Sequence, residues 1–106
     1  MAESLKIWPI GTDHKVVLRG AKNDAGEFIN HGTVTAIMKD ANGNVVANAS
    51  MIVFDYIAES DGDYEAIIPH NADLLPDREY TLHITAIKDG KQAAFRMIRM
   101  AGHITL

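Results

Sequence analysis

Residues 79–88 read EYTLHITAIK, residues 89 and 90 are Asp-Gly, and residues 91–100 read KQAAFRMIRM. Tyr80, Leu82, Ile84 and Ala86 fall on one face of an extended chain, and Thr81, His83, Thr85 and Ile87 on the other. That period of two belongs to a β-strand with one buried face. Asp-Gly between two such runs is a two-residue hairpin turn, because both positions tolerate positive φ. The chain is therefore read as β structure, and its remainder repeats the pattern.

Towards the N-terminus, Pro69 stops the run 64–68 (YEAII), since proline cannot donate to a sheet ladder. The run 51–57 (MIVFDYI) is the most apolar, and its length suits a strand better than a helix. Residues 45–49 form the returning strand of a hairpin at Asn42-Gly43, and residues 33–39 (TVTAIMK) its first strand. Residues 15–19 (KVVLR) begin the series, with a turn at 23–26 and another at 59–63. Residues 71–77 are a loop with room for one helical turn at 72–75. Seven strands result, without any longer segment of helical period. The expected core comprises Val16, Leu18, Val34, Ala36, Val53, Tyr64, Ala66, Ile68, Leu75, Tyr80, Leu82, Ile84 and Phe95.

Leu75-Pro76-Asp77-Arg78-Glu79-Tyr80-Thr81-Leu82, with Ile84-Thr85-Ala86 after it, resembles the corner before the sixth strand of immunoglobulin-like and fibronectin type III sandwiches. In those folds a leucine and a proline precede a tyrosine whose hydroxyl ties the corner to nearby backbone. The resemblance covers mainly residues 61–95 and makes Leu75, Pro76 and Tyr80 the fold-defining corner. The chain lacks the cysteine pair of antibody domains, and Trp8 lies far from their core tryptophan. Gly26 to Phe28, Asp40 to Gly43, and Asp61-Gly62-Asp63-Tyr64 are laid out as in Ig-like modules of bacterial and phage or prophage structural proteins. The resemblance implies an all-β, seven-stranded antiparallel Ig-like sandwich over residues 15–106. Residues 1–14 precede it as an N-terminal arm or first edge strand.

A chain of 106 residues holds one core and no second domain. With 14 acidic against 10 basic residues and a net charge of −4, it lacks the basic stripe that phosphate neutralisation requires, so nucleic acid is not expected as a partner. No apolar run reaches the ~18–20 residues of a membrane span. Residues 1–6 lack the charged start and apolar run of a signal peptide. The cytoplasm or a virion is the expected location. Without cysteine there is neither a disulfide framework nor a thiolate metal site.

Five histidines (His14, His31, His70, His83 and His103) lack the close spacing by which one element supplies two metal ligands. Met97 and Met100 near His103 suggest copper, but Met38, Met51 and Met97 fall in strands, where packing explains them. Asp61-Gly62-Asp63 and Asn23-Asp24 suggest calcium, yet such turns recur for backbone reasons. There is no GxSxG elbow, Ser50 and Ser60 have no histidine in a recognisable arrangement, and Glu59 and Asp61 sit where carboxylates stay ionised. No catalytic residue, metal or cofactor is expected.

Leu5, Ile7, Trp8 and Ile10 remain, four apolar side chains crowded around Pro9. They either pack into the chain's own sandwich as its first strand or anchor it to a neighbouring subunit, where aromatic residues carry much of the binding energy. The expected function is a non-enzymatic structural or protein-interaction module, a tail or capsid component of a phage or prophage virion. Its partners would be proteins, copies of itself included. The alternative is an extracellular module binding carbohydrate or peptide through the loops 23–31 and 69–77, in which Phe28 is the single aromatic.

Overall fold

In a computed structural model of the chain, which describes residues 6–105, all regular structure is β. Seven strands form: β1 (Ile7–Pro9), β2 (His14–Leu18), β3 (Thr33–Asp40), β4 (Ile52–Tyr56), β5 (Tyr64–Ile68), β6 (Glu79–Lys88) and β7 (Lys91–Gly102). They make one mixed sheet in the order β1-β7-β6-β3-β4-β5-β2. All pairings are antiparallel except β1 with β7, which run parallel from Ile7↔Met100 to Pro9↔Gly102.

The expected hairpin is in place: β6 and β7 pair without interruption from Glu79↔Met100 to Lys88↔Lys91. β4 is divided between two neighbours. Its residues 52–54 pair with β3, and Asp55 and Tyr56 pair with β5. The sheet therefore turns a corner within β4, and side chains from both halves meet inside it. Val16, Leu18, Val34, Ala36, Tyr64, Ala66, Ile68, Tyr80, Leu82 and Ile84 are buried there as expected, and Phe95 is half-buried against them.

Val53 and Leu75 are corrections, both exposed, while Ile52, Phe54 and Leu74 are buried in their place. Each error is a phase error in a run of adjacent apolar residues, where alternation carries no information about which side faces in. Residues 45–49 are not a strand. Val45 makes one bridge to Lys39, and Ala49 then bonds back to Val46 in a turn with Asn48 at φ 65°. The seventh strand is β1 instead. Residues 72–75 contain no helical turn.

Two tyrosines fix the loops. The Tyr80 hydroxyl accepts the Leu75 N–H at 2.8 Å, holding the chain at Pro76 against the start of β6. Tyr64, fully buried, donates its hydroxyl to the Ile29 carbonyl at 2.6 Å and accepts the Gly32 N–H at 3.0 Å. The long connection between β2 and β3 is thereby tied to the core. Gly62 meets the same connection: its carbonyl accepts the Ala21 N–H, and its N–H donates to Asn30 Oδ1.

Candidate functional site at the open edge of β7

β7 is the longest strand, its 12 residues contain no proline, and its register shows no bulge. Peptide groups along such a strand point alternately to either side. Ala101 donates to Arg78 at 2.8 Å and accepts from Asp77 at 2.9 Å, both on the β6 side. The Gly102 carbonyl accepts the Ile10 N–H at 2.9 Å, on the β1 side. Carrying this alternation back along β7, Gln92, Ala94, Arg96 and Ile98 turn their N–H and C=O groups away from β6. β1 covers only Met100, Ala101 and Gly102. Among the described residues no strand pairs with the outward side of residues 92–98, so a row of main-chain donors and acceptors faces solvent.

A cavity of about 180 Å³ lies beside this edge, where the β2–β3 connection approaches the start of β7. Phe28, Ile29 and Ala93 line it together with charged side chains that include Glu27, Asp89 and Lys91. Its wall is held by the Tyr64 hydroxyl at Ile29 and by a tight turn in which Asn23 Oδ1 accepts the N–H groups of Ala25 and Glu27. Phe28 is 42% exposed, and the Lys22 ammonium lies 4.8 Å from its ring centre. The inward side chains of β7 (Ala93, Phe95 and Met97) are half-buried, as at a sheet margin where the core is covered from one side. The edge and the cavity together offer main-chain pairing and a place for a side chain against Phe28 and Ile29, which is how sheet-edge grooves hold extended peptides.

Charge along β7 itself has one sign, while Glu27 and Asp89 stand around the cavity at its start. β7 carries Lys91, Arg96 and Arg99 and no carboxylate. Among the described residues, the ion pairs Lys15–Glu65 and Arg19–Asp63 lie elsewhere. His83, directly across the ladder from Arg96, is held below the usual histidine pKa, first by partial burial and then by the Lys39 and Arg96 charges.

The expected binding arm is placed differently. Trp8 is 0% exposed and Pro9 is buried, while Ile7 and Ile10 are half-buried. Leu5 lies outside the described residues. Trp8 donates its indole N–H to the Tyr80 carbonyl and carries the Arg99 guanidinium 4.6 Å above its ring. Trp8 is thus a core residue of its own chain, the first of the two readings given for it. Arg99 also lies 3.3 Å from His14 Nε2. Burial, and then Arg99, lower the pKa of His14, and burial lowers that of Arg99. This closure joins β1, β2 and β7 at one end of the molecule. The cavity beside Ala93 lies towards the opposite end of β7.

Of the other histidines, His70 donates its backbone N–H to Asp13 Oδ1 at 2.7 Å, with its ring Nδ1 3.0 Å from the same oxygen, and His31 packs on Tyr56. Those contacts lower the pKa of Asp13, the backbone bond most. Among the described residues no three His, Asp or Glu side chains group closely enough to hold a metal ion. The acidic turns use their oxygens on backbone: Asp63 Oδ1 accepts the Gly20 N–H, and Asp40 Oδ1 accepts those of Asn42 and Asn44.

The sequence alone does not display the open edge. Its traces are the length of residues 91–102, the absence of proline, and three cations without an acid. Compared with known proteins, the chain matches no family model, no curated protein and no solved structure.

Proposed function

We propose that the chain is a non-enzymatic protein-interaction module with an Ig-like sandwich, which joins an assembly by taking an extended segment onto the edge of β7. The outward peptide groups of Gln92, Ala94, Arg96 and Ile98 carry this reading, because an unpaired row beside a cavity is a template for strand addition. Three observations support the Ig-like part. β2 pairs with β5, while β3 pairs with β6 and β6 with β7, and β4 links the two groups by pairing with both β3 and β5. The shortest extent of the backbone is 19 Å, which suits two sheets about 10 Å apart. The Tyr80 hydroxyl takes the Leu75 N–H across the corner. The non-enzymatic part is supported by the turn carboxylates, which accept backbone bonds that give them structural roles. A phage or prophage virion is the assembly that the layout of the turns favours.

Short synthetic peptides of alternating polar and apolar residues, titrated into the isotope-labelled protein, test this reading. Binding that shifts the amides of Gln92, Ala94, Arg96 and Ile98 ahead of all others is expected. Binders that leave these four amides unmoved, or no binder at all, would overturn it.

A further inference from the structure

We infer that the segment taken by β7 is acidic and belongs to another polypeptide, with a carboxylate opposite Arg96 and an apolar side chain beside Ala93, over Phe28. The inference rests on the proposed function and adds the chemistry of the partner.

The geometry sets the spacing. A strand added to β7 places the side chains opposite Ala93, Phe95 and Met97 on the inner face, and those opposite Ala94, Arg96 and Ile98 on the outer face. A side chain opposite Ala93 lies over the cavity that Phe28 and Ile29 line, where an apolar group loses water. The residue opposite Arg96 is three positions away, on the other face. There it meets an exposed guanidinium with His83 beside it and Lys39 near enough to depress that histidine. Opposite charges across a ladder stabilise it, and like charges destabilise it. A carboxylate fits this position and a cation does not.

The same charge decides against a second copy. Along its open residues β7 carries Lys91 and Arg96 and no carboxylate, so pairing this edge with its own copy doubles the charge along one ladder without an anion on either strand. Lys91 and Arg96 have no salt-bridge partner among the described residues, so an incoming acid displaces none.

Two fluorescent, proline-free peptides serve as probes, identical at their apolar positions and carrying either glutamate or lysine between them. The wild-type protein is expected to bind the glutamate peptide several-fold more tightly at low salt, with the difference shrinking as salt rises. Arg96→Glu should reverse the preference. Ala94→Pro removes an N–H that points away from β6, a loss that an edge strand tolerates, so the variant should fold and bind neither peptide. Equal binding of both peptides by the wild type, or an unreversed preference in Arg96→Glu, overturns the acidic partner while leaving the edge in place. Undiminished binding by a folded Ala94→Pro variant overturns the edge itself. A wild-type dimer in sedimentation that dissociates in Ala94→Pro gives the edge to a second copy and overturns the inference. Should Ala94→Pro not fold, amide protection at Gln92, Ala94, Arg96 and Ile98 in the wild-type complex reads the same edge directly.

Discussion

The indole N–H of Trp8 donates to the backbone carbonyl of Tyr80 at 3.0 Å, across 72 positions of the chain. Tyr80 is thus held at both ends, since its hydroxyl accepts the Leu75 N–H. The first strand and the corner before β6 are one structural unit, and removing either partner loosens both.

Trp8→Ala is expected to cost about 3–5 kcal/mol, the usual range for deleting a buried aromatic side chain. That is a large share of the roughly 5–15 kcal/mol that holds a domain folded. Denaturant unfolding measures it. A loss below about 1 kcal/mol would mean that Trp8 is not packed in the core.

Tyr80→Phe deletes the acceptor of the Leu75 N–H and leaves the ring in place. A loss of roughly 1–2 kcal/mol is expected, the cost of one hydrogen bond and its stranded partner. Tyr64→Phe removes a donor and an acceptor together, at a site that is 0% exposed, and should cost more than Tyr80→Phe. The order of the two unfolding midpoints is the test.

Gly62 and Gly43 both sit at positive φ but differ in surroundings. A Cβ on Gly62 would lie 2.6 Å from the Ala21 carbonyl oxygen, whereas one on Gly43 meets nothing within 4 Å. Gly43→Ala carries only the left-handed strain of about 1–2 kcal/mol. Gly62→Ala adds a backbone collision and is expected to be the more damaging by thermal melting. Equal effects would contradict the close approach of this turn to the β2–β3 connection.

Stability should fall as the pH drops from about 7 to about 5. The folded state holds His14 below its ordinary pKa, chiefly by burial and then by Arg99. The unfolded chain therefore takes up the proton first, below about pH 6.5, and each such proton favours unfolding. The contribution is intact above that pH and declines towards the lower, folded-state value. His83 is shifted the same way. Asp13 and Asp40, both lowered, lose their contributions only in the more acidic carboxylate range. Chemical denaturation of His14→Gln across this range should give a flatter profile than the wild type, and a profile of unchanged slope would exclude His14 as its source.

The parts of the fold legible in the sequence are those where polar and apolar residues alternate strictly. Residues 79–88 and 64–68 leave one choice of inward face, and Asp89-Gly90 fixes the turn. Met51, Ile52, Val53 and Phe54 are all apolar, so alternation cannot choose between Val53 and its neighbours; contact with β3 and β5 chooses. Leu74 and Leu75 pose the same problem, and the corner uses the backbone of Leu75 while its side chain stays exposed. The arm around Trp8 reads as apolar, but the sequence leaves open whether its own sandwich or a neighbour covers it, because its partner Tyr80 is distant in sequence. The edge of β7 is less legible still. A strand's own residues say little about whether another strand lies beside it, and only the order β1-β7-β6 reveals that β1 ends short.

The parallel pairing of β1 with β7 has a mechanical meaning. Tension applied through residues 6 and 105 would draw β1 and β7 past each other along their length, because the two strands point the same way. Their bonds and the Trp8 indole bond would then bear the load together in shear, whereas an antiparallel hairpin pulled at its ends opens one bond at a time. A domain gripped at these two points resists extension at its margin first, and the rest of the sheet stays unloaded until that latch gives way.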